Sequence, residues 1–353
     1  MRFFMEYLHG GDIYRNQAEY DFSANINPFG MPLASIQAAH EGVVLAGRYP
    51  DYSCQSLREA IGQYHGVDKS YIFCGNGVAE LIFTLCYSLE PKRAFSVAPT
   101  FQEYERAVNA AGGVMEYHYL SKDNEFDLQQ DFVTELFDKV GDLDMVFLCN
   151  PNNPTGRIIK KDMLLKILET CQDRDVYLCV DESFLPFLED EENYSMVDYV
   201  GSYDRLIVLR SFTKIYGMPG LRLGYVLTSD KALLKTMGEK CQPWSVSTVA
   251  QMAGVAALKD EAFLEKTRQL IVGEREYIKA ELMPLIAHKY FESYGNYMLF
   301  KGDVDLKERL LQEGVLIRDC SNFLGLKEGY YRIAVRSTSE NKELVRRVTK
   351  WQG

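Results

Sequence analysis

A lysine, an arginine and two hydroxyl side chains cluster in the segment RSFTKIYGMPGLRLGY, residues 210–225. Ser211, Thr213 and Lys214 come at the end of the β-rich run LIVLRS or just after it, and Arg222 lies further along the same segment. A lysine that is removed from water at such a point can lose its proton and act as an amine nucleophile. Hydroxyl and guanidinium groups are the partners that a phosphate group binds. The segment therefore predicts amine chemistry beside an anion-binding site.

The segment GNGVAE, residues 75–80, follows another β-rich run and begins a helical pattern. The N–H groups of a helix's first turn have no acceptor within the helix and bind anions readily. The two glycines and the N–H groups of the helix's first turn are therefore expected to form an anion cradle at this strand end, although glycines at such a turn can also serve its geometry alone. The segment does not fit the dinucleotide-binding pattern G-x-G-x-x-G, because Glu80 stands where the third glycine would be.

Two more strand ends carry polar residues. The loop CNPNNPTG, residues 149–156, is rich in turn-forming residues and offers several side-chain amides, although by itself the pattern is typical of a structural turn. The run VYLCVDES, residues 176–183, contains Asp181, whose carboxylate is costly to bury unless it meets a cation or hydrogen-bond donors. Because ligands of open α/β sheets bind at the carboxyl ends of the strands, we expect these groups to meet Lys214 in one site.

Strand-like and helical patterns alternate from about residue 70, which predicts a parallel or mostly parallel sheet flanked by helices. Several of the strand-like runs are apolar throughout, as expected of strands whose two faces are both covered. The predicted strands are 71–75, 94–99, 115–120, 145–150, 176–182, 206–211 and 222–228, and the predicted helices are 78–89, 101–111, 161–173 and 230–240.

The pattern changes after residue 240. A long helical region over 246–287 is followed by strand-like segments at 296–302, 315–320 and 330–336 and by helices at 305–313 and 339–351. We therefore expect an α/β protein with two lobes. The large domain would cover 50–240, and a smaller α+β domain would consist of 241–353 together with the N-terminal segment 1–49.

Composition limits the partners. The chain has 39 Lys and Arg against 50 Asp and Glu, and this net charge of −11 argues against nucleic acid or an anionic membrane as its partner. No apolar run approaches the ~20 residues of a bilayer span, and residues 1–11 do not resemble a signal peptide. The eight cysteines form no C-x-x-C pair and the five histidines no H-x-x-H pair, which predicts reduced thiols in a cytoplasmic protein without a metal site.

A nucleophilic lysine, a buried carboxylate and a phosphate cradle are together the groups that pyridoxal 5′-phosphate requires. The series NPNNPTG, DE, SFTK and GLRLG resembles the fold-type I pyridoxal-phosphate enzymes of the class I and II aminotransferases, in the histidinol-phosphate aminotransferase branch. The resemblance covers nearly the whole chain. It implies an aspartate-aminotransferase-like α/β fold and a homodimer with shared active sites.

The resemblance also implies a role for individual residues toward the cofactor. Lys214 would bind the cofactor aldehyde covalently and later move protons, Asp181 would pair with the ring nitrogen, and Asn153 would hydrogen-bond to the ring hydroxylate. Phe101 would stack on the ring, and Tyr49 would reach the cofactor phosphate of the neighbouring subunit. The cofactor phosphate would be held by Gly77, Val78, Ala79, Ser211, Thr213 and Arg222.

Segments outside the cofactor site resemble one smaller group of enzymes within this family. The segments 9–11, 21–32, 316–326 and 330–337 are similar to those of the threonine-phosphate decarboxylases of cobalamin biosynthesis. This implies decarboxylation of O-phospho-L-threonine, a small phosphorylated amino acid, to aminopropanol phosphate. That substrate has two anionic groups, and the candidates to bind it are His9, Asn27, Arg318 and Arg332, with His9 near the phosphate. Which arginine takes which anion stays open, as does the role of Arg336.

Other activities would use some of the same residues. An aminotransferase of histidinol phosphate or aromatic amino acids would need the same cofactor site, and phosphoserine differs from phosphothreonine by one methyl group, worth only ~1–3 kcal/mol in a pocket. A regulatory module built on this fold is disfavoured by the acidic chain and by the presence of Lys214. A nicotinamide dehydrogenase is disfavoured by the missing third glycine.

Overall fold

A computed structural model describes residues 9–352, and its largest element is a seven-stranded sheet. The strands in chain order are β1 (Tyr20–Asp21), β2 (Ile72–Gly75), β3 (Arg93–Ala98), β4 (Val114–Tyr119), β5 (Met145–Cys149), β6 (Tyr177–Asp181), β7 (Leu206–Ser211), β8 (Gly224–Leu227), β9 (Lys289–Tyr290), β10 (Tyr297–Lys301), β11 (Val315–Leu316), β12 (Arg318–Asp319) and β13 (Tyr330–Ala334). The large sheet has the order β2-β8-β7-β6-β5-β3-β4, and β8 runs antiparallel to both its neighbours while the other pairs are parallel. The predicted mostly parallel sheet is confirmed.

Helices pack on both faces of this sheet. The helices in chain order are α1 (Leu33–Val44), α2 (Gln55–His65), α3 (Val78–Leu89), α4 (Glu103–Ala110), α5 (Gln130–Lys139), α6 (Lys161–Gln172), α7 (Phe212–Ile215), α8 (Lys231–Lys240), α9 (Thr248–Ala257), α10 (Glu261–Tyr277), α11 (Met283–Ile286), α12 (Leu306–Gln312) and α13 (Thr338–Thr349). On β5, Val146 and Leu148 join one buried cluster with α5 and α6, while Met145 and Phe147 join another with α3, α4 and α8. Successive side chains of a strand point to opposite faces, so this apolar strand is buried between two helical layers.

The C-terminal part of the chain forms a smaller antiparallel sheet of the order β12-β13-β10-β9. The single strand predicted over 315–320 is two short strands with different partners. β11 pairs in parallel with β1, which attaches the N-terminal segment, and β12 pairs with β13. The interruption at Ile317 brings Arg318 opposite Arg332 across the antiparallel pair.

Helix α9 packs against helices from other parts of the chain. Ser35 of α1 donates from its hydroxyl to the carbonyl oxygen of Ala253 at 3.0 Å, and a Cβ on Gly254 would lie 3.0 Å from Cδ1 of Leu57 on α2. The helical region predicted over 246–287 contains α9, α10 and the short α11. The domain limits at residues 50 and 240 stay predictions. Among the helices of residues 9–352, none has the length and apolar composition that crossing a bilayer needs.

Candidate active site

The last residues of three neighbouring strands, Cys149 of β5, Asp181 of β6 and Ser211 of β7, line a cavity of about 240 Å³. Most of the predicted site residues lie here, although they come from distant parts of the chain. Those that line the cavity are His9, Val78, Ala79, Phe101, Asn153, Asp181, Ser211, Thr213, Lys214, Arg222, Arg318 and Arg332. The convergence follows from the topology, because parallel strands end at the same edge of the sheet.

Lys214 lies on the single turn of α7, which begins where β7 ends. The hydroxyl of Ser211 accepts the N–H group of Thr213 at 3.2 Å and so caps this turn. Burial lowers the pKa of Lys214 to about 8, with a further contribution from the positive charge of Arg332. A lysine with such a pKa is partly neutral near physiological pH, so its amine is available as a nucleophile.

Asp181 is buried at the end of β6, and its hydrogen-bond partners among residues 9–352 are all neutral. The hydroxyl of Tyr104 donates to Oδ2 at 2.8 Å, and the N–H group of Ser183 donates to Oδ1 at 2.9 Å. Burial raises the pKa of Asp181, and these hydrogen bonds together with the charge of Lys214 offset only part of that effect. A protonated ring nitrogen would compensate this carboxylate, so the residue fits the cofactor role that the sequence predicts.

The anion cradle lies at the N-terminus of α3. Gly77, which precedes the helix, has a φ of 82°, in the left-handed region. A Cβ on Gly77 would lie 2.6 Å from Nη2 of Arg222, so the absence of a side chain lets the guanidinium approach the helix terminus. Two N–H groups, two hydroxyls and one guanidinium make up the cradle, and they belong to Val78, Ala79, Ser211, Thr213 and Arg222. This donor set fits a phosphate group.

Asn153 and Arg332 lie side by side in the cavity. Nη1 of Arg332 donates to Oδ1 of Asn153, and Nη2 donates to the carbonyl oxygen of Ser23 at 3.0 Å. The amide oxygen of Asn153 is therefore used by the arginine, which leaves its amide nitrogen as a donor. A ring hydroxylate needs a donor, so this arrangement fits the predicted role of Asn153.

Arg318 is the second buried arginine of the cavity. It stands opposite Arg332 in the strand pair, and burial together with that second positive charge lowers its pKa to about 10. Its Nη2 donates to Oδ1 of Asn322 at 2.8 Å, and its guanidinium lies 5.2 Å from the ring centre of Phe323. Two adjacent buried cations are stabilised by anions. Arg336, in contrast, forms a 2.8 Å ion pair with Glu340 and does not line this cavity.

Three predicted site residues do not line the cavity of their own chain. Gly77 contributes through its lack of a side chain, which leaves room for the guanidinium of Arg222. Asn27 is buried in the protein interior, where Nδ2 donates to the carbonyl oxygen of Ile215 at 2.6 Å and to Oγ1 of Thr267 at 2.8 Å. Tyr49 is 76% exposed and stacks on Trp244 with ring centres 4.3 Å apart. The side-chain amide of Asn27 is thus bonded within the protein, and its contact with a substrate stays a prediction.

The sequence interpretation missed Asn25. This residue lines the cavity and is only 2% exposed, and its Oδ1 has no hydrogen-bond partner among residues 9–352. A buried amide oxygen without a donor is costly, so Asn25 is suited to accept a hydrogen bond from a ligand. The segment DFSANINP did point to this region, but nothing in it distinguishes Asn25 from Asn27.

The fold and the site define an enzyme of the aspartate-aminotransferase type, in which a lysine, a buried carboxylate and a phosphate cradle surround one cavity. The chain belongs to the family described as aminotransferase class I and II, whose sequence model matches residues 19–348. As a member of this family it uses pyridoxal 5′-phosphate, which confirms the predicted cofactor. The predicted fold class is confirmed as well.

Individual relatives agree with this assignment. The chain is 38% identical over 330 residues to the threonine-phosphate decarboxylase of Salmonella typhimurium, across 92% of this chain and 89% of that protein. It is 31% identical over 339 residues to a histidinol-phosphate aminotransferase of Methanothermobacter thermautotrophicus, across 91% of this chain and 86% of that protein. The crystal structure of the histidinol-phosphate aminotransferase from Clostridium acetobutylicum superposes with a TM-score of 0.87 at 29% identity, across 94% of this chain and 99% of that one.

Proposed function

We propose that the protein catalyses the pyridoxal-phosphate-dependent decarboxylation of O-phospho-L-threonine to aminopropanol phosphate and CO₂. The observation that carries the proposal is the pair of buried arginines, Arg318 and Arg332, beside Lys214 in one cavity. Two buried cations beyond those of the phosphate cradle match a substrate with two anionic groups. The 38% identity to a threonine-phosphate decarboxylase supports the same substrate.

The surroundings of the two arginines favour one assignment of the substrate anions. Arg332 lies close enough to Lys214 to lower its pKa, and it contacts Asn153 beside the predicted position of the ring. The carboxylate and the nitrogen of an amino acid are attached to the same carbon, so the carboxylate must bind on the Lys214 side. Arg332 would therefore bind the carboxylate, and Arg318 and His9 would bind the phosphate at the other end of the substrate.

When it is bound, pyridoxal phosphate supplies a ring that accepts the electrons of one bond to the substrate's Cα. Asp181 would hold a proton at the ring nitrogen, and its bonds from Tyr104 and Ser183 fix the direction of the carboxylate. Arg332 would orient the substrate carboxylate so that the bond from Cα to this group is the one that breaks. Lys214 would then deliver a proton to Cα. A rate preference of ~10³ for this bond needs only about 4 kcal/mol.

We further propose a cytoplasmic homodimer with shared active sites. Tyr49 projects from the surface of its own chain, and the apolar side chains of Leu33 and Val44 on α1 are also exposed, at 69% and 83%. Several exposed apolar side chains along one helix are typical of an interface with another protein surface, which supports the proposed dimer. All eight cysteines are unpaired, which supports a reducing compartment. The acidic charge disfavours nucleic acid and membranes as partners.

The test is to incubate the holoenzyme with O-phospho-L-threonine and to quantify CO₂ and aminopropanol phosphate. We expect catalytic release of both products and no release by the Lys214→Ala variant. O-phospho-L-serine, tested in parallel, measures how strongly the site selects the extra methyl group. If the wild-type holoenzyme releases no CO₂ from either compound, the proposed reaction is wrong.

An aminotransferase acting on histidinol phosphate or an aromatic amino acid is the second candidate. The TM-score of 0.87 to a histidinol-phosphate aminotransferase favours it, and the residues proposed to hold the cofactor would serve both reactions. This activity would convert the bound cofactor to its amine form when histidinol phosphate is added without an oxoacid. A lasting spectral change of that kind, without CO₂, would favour the aminotransferase.

A further inference from the structure

The four consecutive residues Phe101–Tyr104 each contact a different part of the active site. Phe101 lines the cavity, and Tyr104 donates a hydrogen bond to Asp181. Of the two polar residues between them, Glu103 contacts His9 directly, and Gln102 is linked to Arg318 through Asn322. A single short segment at the start of α4 therefore reaches both ends of the proposed substrate site.

Gln102 is linked to Arg318 by hydrogen bonds that both residues form with Asn322. Its Nε2 donates to the carbonyl oxygen of Asn322, and the side-chain amide of Asn322 donates to Oε1 of Gln102 at 3.2 Å. Oδ1 of the same asparagine accepts Nη2 of Arg318 at 2.8 Å. Because Gln102 lies beside α4 and Arg318 on β12, this chain of hydrogen bonds joins two separate parts of the structure and fixes the direction of the guanidinium.

Glu103 contacts His9 in a similar way. Its Oε1 lies 3.0 Å from Nε2 of His9, and Nη1 of Arg106 donates to both oxygens of the carboxylate at 2.7 and 2.8 Å. Burial by itself would raise the pKa of Glu103, but the hydrogen bonds from His9 and Arg106 outweigh it and lower the pKa, so the carboxylate is charged. The carboxylate accepts a hydrogen bond from Nε2 and so fixes the orientation of the imidazole ring at the edge of the cavity.

We propose that Gln102 and Glu103 are positioning residues that select substrates with a phosphorylated side chain. Gln102 acts through Asn322 on Arg318, and Glu103 acts on His9, so that the guanidinium and the imidazole are both oriented before the phosphate arrives. Groups that are fixed in advance bind more tightly, since less side-chain motion is lost on binding. This inference rests on the proposed function, because it assigns Arg318 and His9 to the phosphate.

Two variants and two ligands test the inference. The affinities of the holoenzyme for inorganic phosphate and for L-threonine, which has no phosphate, are measured by calorimetry in Glu103→Gln and Gln102→Ala. We expect Glu103→Gln to weaken phosphate binding by about 10-fold or more, as for a lost charge-assisted hydrogen bond, and Gln102→Ala to weaken it by about 3- to 10-fold. Affinity for L-threonine should stay within about 2-fold of the wild type, since its carboxylate binds elsewhere.

Glu105→Gln is the matched control. It removes the same charge from the same helix, but Glu105 interacts with Tyr117 on β4 and does not line the active-site cavity. With O-phospho-L-threonine as substrate, Glu103→Gln should raise KM and leave kcat nearly unchanged, whereas a general structural fault would lower kcat as well. Glu103→Asp keeps the charge and should recover part of the lost affinity.

The proposed function and this inference can fail separately. CO₂ release by the wild-type holoenzyme tests the function, whereas phosphate affinity in the variants tests the positioning role even when no CO₂ is formed. The inference is overturned if Glu103→Gln and Gln102→Ala bind phosphate as tightly as Glu105→Gln does. It is also overturned if the wild-type holoenzyme binds no phosphate, or if the variants lose L-threonine affinity to the same extent.

Discussion

Asn25 and Asn27 stand two residues apart in the same loop, both almost fully buried, yet they face different environments. The amide of Asn27 is occupied by a backbone carbonyl, a threonine hydroxyl and the N–H group of Phe29, all within the protein. Oδ1 of Asn25 faces the active-site cavity and has no donor among the residues that the structure describes. One asparagine therefore stabilises the fold, and the other is available to a ligand.

Substitution by alanine should separate these two roles. We expect Asn25→Ala to raise KM for O-phospho-L-threonine by about 3- to 10-fold, as for the loss of one hydrogen bond, with little change in the free energy of unfolding. We expect Asn27→Ala to lower the free energy of unfolding by about 2–3 kcal/mol, because it leaves the carbonyl of Ile215 and the hydroxyl of Thr267 buried without a partner. Urea denaturation and steady-state kinetics measure the two effects. Equal losses of stability in both variants would contradict this division.

Asn25 and Asn27 also show which part of the site could not be predicted from the sequence. The strands of the large sheet, and with them the positions of Asp181 and Lys214, follow from apolar runs and from the rule that ligands bind at strand ends. The loop that carries Asn25 and Asn27 has no such periodicity, so only its path in space decides which amide reaches the cavity. For this reason the sequence could not distinguish Asn27, whose amide is bonded within the protein, from Asn25, which lines the cavity.

Helix α1 was not predicted because its pattern lacks a single apolar face. Leu33 and Val44 are exposed although they are apolar, and Gly42, a poor helix former, lies inside the helix. The structure explains the glycine, since a Cβ there would lie 2.9 Å from Cα of Val249 on α9. Close helix packing thus favours a residue that local propensity disfavours. The contacts of Glu103 and Gln102 were missed because they join segments far apart in the chain.

The pKa of Lys214 predicts how fast the apoenzyme captures its cofactor. Only the neutral amine attacks the aldehyde, and the folded protein holds the pKa at about 8. The capture rate should therefore rise about tenfold per pH unit below pH 8 and level off above it. Stopped-flow absorbance with pyridoxal phosphate measures this profile.

Removing the charge of Arg332 provides a check on the pH dependence of the capture rate. Since this charge helps to lower the pKa of Lys214, Arg332→Gln should move the midpoint to a higher pH. Arg336→Gln removes a charge from the same segment, but Arg336 is paired with Glu340, so its midpoint should match the wild type. A profile that keeps rising up to pH 10 in the wild type would refute the lowered pKa.

Tyr104 should influence the cofactor through Asp181. The Tyr104→Phe variant removes the hydroxyl that donates to Oδ2 and keeps the ring, which stacks on Phe147 with centres 5.0 Å apart. We expect affinity for pyridoxal phosphate to fall by about 3- to 10-fold because the carboxylate is less well held. Fluorescence titration of the apoenzyme measures this affinity. Tyr203→Phe, which removes another buried hydroxyl bonded to the carbonyl of Val176, should leave it unchanged.

Glu182, next to Asp181 in sequence, should matter for stability and not for the cofactor. It is fully buried, lies 2.6 Å from Nη2 of Arg210, and accepts the N–H group of Met196 at 2.6 Å. Glu182→Gln leaves Arg210 paired with Glu191 at 2.7 Å but removes its second carboxylate, and it should lower the free energy of unfolding by about 2–3 kcal/mol. Urea denaturation tests this, and the visible spectrum of the holoenzyme should not change. A normal stability with an altered spectrum would show that Glu182 belongs to the active site.

Mixed dimers would test whether Tyr49 serves the neighbouring subunit. In the proposed dimer, the Lys214→Ala chain has no active lysine but supplies an intact Tyr49 to its partner. The Tyr49→Phe chain keeps the lysine, but a dimer of two such chains should bind the cofactor phosphate about 10- to 100-fold more weakly at both sites. Unfolding and refolding the two variants together should create one complete site per mixed dimer, or about a quarter of all sites at equal amounts. Activity at low pyridoxal phosphate should then exceed the sum of the activities of the separate variants.

Tyr52→Phe, which alters a nearby exposed tyrosine, is the control that should bind cofactor normally. If mixing restores nothing while sedimentation shows dimers, Tyr49 does not contact the partner's site, and its stacking on Trp244 is its main interaction.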